Sequence, residues 1–68
     1  MTSYNFRLVA SMGHDGRMVK TYYNHGLNEY IVRLFINGVH YSPADYYTED
    51  KLDALDTAKE ILRRNCNG

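Results

Sequence analysis

The stretch Glu29-Tyr30-Ile31-Val32-Arg33-Leu34-Phe35-Ile36-Asn37-Gly38-Val39-His40-Tyr41 reads as two β-strands folded around a tight turn. Asn-Gly is the strongest short hairpin signal, because both central residues of a type I′ turn need positive φ and these two residue types tolerate it. The run before the turn is rich in β-branched and aromatic residues, as a half-buried pleated surface requires. A two-residue turn at Asn37-Gly38 pairs Ile36 with Val39 and Leu34 with Tyr41, and sets Phe35 opposite His40.

Working towards the N-terminus, the stretch from Tyr4 to Met12 alternates. Tyr4, Phe6, Leu8, Ala10 and Met12 fall on one face, Asn5, Arg7 and Ser11 on the other, and only Val9 breaks the pattern. Gly13-His14-Asp15-Gly16 supplies a turn, Arg17 to Asn24 a second strand, and His25-Gly26-Leu27-Asn28 another turn. With these turn lengths Phe6, Leu8 and Ala10 share a face with Val19, Thr21 and Tyr23, and with Tyr30, Val32 and Leu34. A slip of one residue would invert a strand, so agreement among the hairpins fixes one core face.

Towards the C-terminus, Ser42-Pro43-Ala44-Asp45 has the form of a helix start: Ser at the cap, Pro at the first helical position, an acid three residues after the cap. It is expected to give a single turn, with the main helix beginning after Thr48, a second cap candidate. Leu52, Leu55, Ala58 and Leu62, with Ile61 at the margin, form its apolar stripe. Glu49, Asp50 and Asp53 suit the positive end of the helix dipole, and Arg63 and Arg64 the negative end before a stop between Asn65 and Gly68. The expected fold is α+β: a four-stranded antiparallel β-meander with one C-terminal α-helix packed on one face, in the order β-β-β-β-α, as a single domain over residues 1–68.

A chain of 68 residues buries only about 60% of the surface its unfolded form exposes. Cys66 is the lone cysteine, so no intrachain disulfide can compensate. Seven tyrosines and two phenylalanines carry the aromatic load, and tyrosine suits half-buried and interface positions. Eight basic and eight acidic side chains give zero net charge, which argues against a general nucleic-acid footprint. The charges are uneven: Asp45, Glu49, Asp50, Asp53 and Asp56 form an acidic middle between more basic flanks. No apolar run reaches the roughly 20 residues of a membrane span, and no signal-peptide core is present. With Met1 at its start and a single cysteine, the chain is expected to be a complete small cytoplasmic protein.

One helix covers one face of a sheet and leaves the other. That uncovered face is expected to show Arg7, Val9, Met18, Lys20, Tyr22, Ile31, Arg33, Phe35 and His40, with Lys20 opposite Arg33 and Tyr22 opposite Ile31. Aromatics and Arg are enriched at interface hot spots, so Arg7, Met18, Lys20, Tyr22, Ile31, Arg33, Phe35 and His40 form the first candidate contact surface. The bland alternative is incidental exposure, since scattered apolar side chains are normal on any surface. A second candidate is the acidic segment of Asp45, Tyr46, Tyr47, Glu49, Asp50 and Asp53, which suits a basic groove. Its bland alternative is ordinary helix N-terminal chemistry.

Catalysis finds little footing. His14, His25 and His40 lack the short spacing of helical ligand pairs, and Cys66 is remote, so neither metal nor cofactor is expected. His14-Asp15 is turn chemistry, the glycines mark turns, and no phosphate-loop or nucleophile-elbow motif occurs. The expectation is a non-catalytic protein-binding module whose partner is a larger protein or complex. By size class alone the chain looks like the small orphan proteins of phages and mobile elements, among them anti-CRISPR proteins. That likeness implies an inhibitor of a nucleic-acid-handling enzyme, with the host cytoplasm as its compartment. The alternatives are a single-stranded nucleic-acid-binding domain using the same open face, although it lacks the RNP signature, and an obligate small homodimer.

Overall fold

The computed structural model describes residues 6–65; Tyr4, Cys66 and the segment past Asn65 where the helix was expected to stop lie outside them. β1 (Phe6–His14), β2 (Arg17–Asn24), β3 (Glu29–Ile36) and β4 (Val39–Thr48) form one antiparallel sheet in the order β1-β2-β3-β4. α1 (Lys51–Asn65) packs on one side of it, giving the α+β meander that the alternation implies. The molecule measures 18 Å along its thinnest axis, room for one sheet and one helix layer.

Two adjacent hairpins close on the same chemistry. Asp15 and Gly16 have φ of 55° and 84°, Asn37 and Gly38 of 51° and 85°, as the type I′ geometry demands. The two tips are tied together, with Asn37 N–H donating to the Gly16 carbonyl at 2.7 Å. Between β2 and β3 the turn is longer; Asn28 takes φ of 52°, and its side-chain oxygen accepts from the Tyr23 hydroxyl at 2.7 Å. The pairings Lys20–Arg33, Tyr22–Ile31, Leu34–Tyr41, Phe35–His40 and Ile36–Val39 all occur.

Val19, Val32 and Leu34 from the central strands close against Ala54 and Ala58 of α1, and all five are fully buried. Alanines at the contact let the helix approach the sheet closely. The helix stripe therefore differs from the expected one: Ala54, Ala58, Ile61 and Leu62 face the sheet, whereas Leu52 is 71% exposed. Thr21 is buried in the same layer, its hydroxyl without a hydrogen-bond partner among the described residues.

Two irregularities overturn parts of the reading. Leu8 pairs with Tyr22 and Ala10 with Thr21, so Val9 is an extra residue, a β-bulge. The bulge inverts the start of β1: Phe6 and Leu8 turn to the face away from the helix, and Arg7 falls opposite Tyr23 on the helix side. The second lies in β4. Val32 pairs with Tyr46 and Leu34 with Tyr41, which leaves residues 42–45 opposite Arg33 alone. Ser42-Pro43-Ala44-Asp45 is thus a long irregular bulge in an edge strand and not a helical turn. Proline is tolerated there because an edge position need not donate to the ladder.

Helix α1 starts at Lys51, and Asp50 is its cap, correcting Thr48. Asp50 Oδ1 accepts from Leu52 N–H at 3.1 Å, and the Asp50 carbonyl accepts the first helical bond, from Ala54 N–H, at 2.9 Å. Thr48 supports the cap, its hydroxyl accepting from Asp50 N–H at 3.2 Å.

Candidate binding face

The side of the sheet opposite α1 carries Met18, Lys20, Tyr22, Ile31, Arg33, Phe35 and His40 in neighbouring register positions, as expected. Arg7 leaves the set, because the Val9 bulge turns it to the helix side. The same bulge brings in Phe6, 41% exposed, and Leu8. The break in alternation at Val9 was the available sequence signal for both changes.

Ile31 belongs to this face but is only 4% exposed. Its cross-strand neighbours are Tyr22 on one side and Tyr47 on the other. Tyr47, 52% exposed, comes from the acidic segment and joins the open face through its pairing with Ile31. The face is thus partly roofed by its own aromatic side chains.

Cations and rings are interleaved across it. The Arg33 guanidinium lies 5.9 Å from the ring centres of both Phe6 and Tyr22, and those two rings meet edge-on at 6.5 Å. Lys20 Nζ sits 5.2 Å over the Phe35 ring, which is tilted against the His40 imidazole at 5.4 Å. Such contacts draw a cation to the negative face of a ring. His40 Nε2 in turn lies 2.7 Å from Asp45 Oδ1, so this carboxylate of the acidic segment serves the open face.

The rest of the acidic segment is dispersed. Asp50 caps the helix, and Tyr46 turns to the helix side, donating its hydroxyl to Asp53 Oδ2 at 2.6 Å. That bond, helped by the Thr48 and Thr57 hydroxyls, holds the Asp53 carboxyl below the ordinary carboxylate range. The same bond with Asp53 pushes the Tyr46 phenol up. Glu49 stays exposed. The six residues do not form one surface: Asp45 and Tyr47 go to the open face, Tyr46 and Asp53 to the helix side, and Asp50 to the cap.

Among the described residues, no three His, Cys, Asp or Glu side chains are grouped to hold a metal ion. No helix among them is long and apolar enough to cross a membrane. A groove of about 690 Å³ opens at one end of the face, between the two hairpin tips, with Met18, Lys20, Phe35 and Gly13 in its lining. No protein family, curated protein or solved structure matches the chain.

Proposed function

We propose that this protein is a non-catalytic protein-binding module that docks on a larger protein through the open face of its sheet. The observation that carries the reading is the interleaved set of Phe6, Tyr22, Phe35, Lys20 and Arg33 on the side of the sheet away from α1. Aromatic and Arg side chains of this kind supply most of the energy of measured interfaces. The acidic segment is the weaker candidate, since three of its four carboxylates are committed, to a cap, to Tyr46 and to His40.

A single-stranded nucleic acid would use the same face, but bases bind by stacking on ring faces. Here Lys20 lies over Phe35, and Arg33 lies against Phe6 and Tyr22, so a base would have to displace them. The likeness in size to small phage inhibitors extends the proposal to inhibition of a larger nucleic-acid-handling enzyme.

Capture from a lysate of the native host, with and without nuclease, tests the reading. The expected result is a stoichiometric, nuclease-resistant partner that is lost with Phe35→Ala. A catch that disappears with nuclease would replace the proposal with nucleic-acid binding. A captured enzyme whose activity is unchanged by added protein would remove the inhibitor extension alone.

A further inference from the structure

Two cations of the open face make no ion pair among the described residues, although Asp45 and Glu29 lie on the same side of the sheet. Lys20 and Arg33 are direct cross-strand partners on the two central strands. Like charges placed directly opposite each other destabilise a sheet. Neither takes part in any ion pair among the described residues; the pairs there are His40–Asp45 and Glu60 with Arg63 and Arg64. Arg33 Nε is buried without a hydrogen-bond acceptor, so its guanidinium is held by rings and not by a carboxylate. The helix, with Asp53, Asp56 and Glu60, lies on the other side of the sheet. The molecule has no net charge, and its open face presents at its centre two adjacent cations that no carboxylate contacts among the described residues.

Beside this pair lies the groove between the hairpin tips. Met18 and Phe35 are its apolar lining, Arg17 and Lys20 its cations, and Gly13 contributes bare backbone. Its one acid is Asp15 at the tip, whose carbonyl accepts from Arg17 Nη1 at 3.4 Å. It is an open depression of about 690 Å³, and the flexible Met18 in its lining can adapt to shape.

From this juxtaposition of an apolar groove with Lys20 and Arg33 we infer that the partner is an acidic protein segment. It places a large apolar side chain between the hairpin tips and carboxylates on Lys20 and Arg33. The inference rests on the protein-binding reading and adds the chemistry of the partner. Protein carboxylates are favoured over nucleic-acid phosphates because three of the rings that would stack bases, Phe6, Tyr22 and Phe35, already lie against the cations. The opposed cations are kept, at a cost in stability, because a bound carboxylate pair neutralises both.

The test titrates the whole isotope-labelled protein with a short peptide of alternating Glu and Phe, and separately with its Lys-Phe counterpart and a short oligothymidine. The expected result is saturable binding of the Glu-Phe peptide alone, with amide shifts concentrated at Met18, Lys20, Arg33 and Phe35. Lys20→Gln with Arg33→Gln is expected to weaken that binding by about tenfold or more, and the melting temperature to hold or rise. A melting temperature that holds excludes unfolding as the cause of lost binding. Tighter binding of oligothymidine, absence of saturable Glu-Phe binding, or equal affinity in the double variant would each overturn the inference. If a natural partner is captured through Phe35 but is indifferent to Lys20→Gln and Arg33→Gln, the protein-binding reading stands and only the acidic partner falls.

Discussion

The two faces of one sheet are sealed in different ways. On the helix side Val19, Val32 and Leu34 are closed off by a separate element, through Ala54 and Ala58. On the open side Ile31 is almost as well buried, yet its cross-strand neighbours are the side chains Tyr22 and Tyr47. Burial under a packed helix is dispersion contact in a close-packed interior. Burial under long side chains on the same sheet leaves rings and cations at the surface. The contrast separates the helix side, which carries the stability, from the open side, which is the proposed contact.

Substitutions sharpen or break that contrast. The largest effect is expected from Leu34→Ala, which removes a fully buried side chain and should cost about 2–5 kcal/mol in urea unfolding, enough to unfold much of a domain this small. Ile31→Ala should cost about 2 kcal/mol, the low end of that range, since its roof of side chains can collapse into the gap. Equal losses at the two positions would mean that the open face is as rigidly packed as the core. Thr21→Val should be neutral or raise stability by about 1 kcal/mol, because it replaces a buried hydroxyl that has no partner among the described residues. A clear loss in that variant would show that the hydroxyl is satisfied in solution.

Tyr46→Phe is expected to have the smallest effect, visible chiefly in the pH profile. Asp53 is held below the ordinary carboxylate range, first by the Tyr46 hydroxyl. A depressed carboxyl contributes stability above its unfolded value, and that contribution is lost as pH falls through the folded value. Removing the hydroxyl should raise the Asp53 value and flatten the acid side of the stability curve. The measurement is thermal unfolding as a function of pH. An unchanged acid limb would mean that Thr48 and Thr57 carry the effect.

Much of this fold is legible in the chain, and the exceptions have physical causes. Asn37-Gly38 and Asp15-Gly16 act within a few residues, so the strands and the pairings around them follow from local chemistry. Val9 and the segment 42–45 are bulges, and a bulge is decided by what the neighbouring strand needs opposite it. The fault at Val9 was visible as a break in alternation, but not which half of β1 would turn over. Ser42-Pro43 suits a helix start and an edge-strand bulge equally well in local terms. Ala54 could not be picked over Leu52, because a close helix–sheet approach rewards the smaller residue. Met18, Lys20, Tyr22, Arg33, Phe35 and His40 fall on the side of the sheet that the hairpin registers imply. Arg7, Phe6, Leu8 and Tyr47 depended on the bulges and were placed by them.

The most direct test compares binding of the nuclease-treated natural partner to the native protein and to the double variant Arg33→Ala, Phe35→Ala, with thermal unfolding recorded on both. Partner affinity is predicted to fall by about tenfold or more while the variant still unfolds cooperatively near the native temperature. Undiminished affinity in a folded double variant would contradict the claim that the open sheet face is the contact surface.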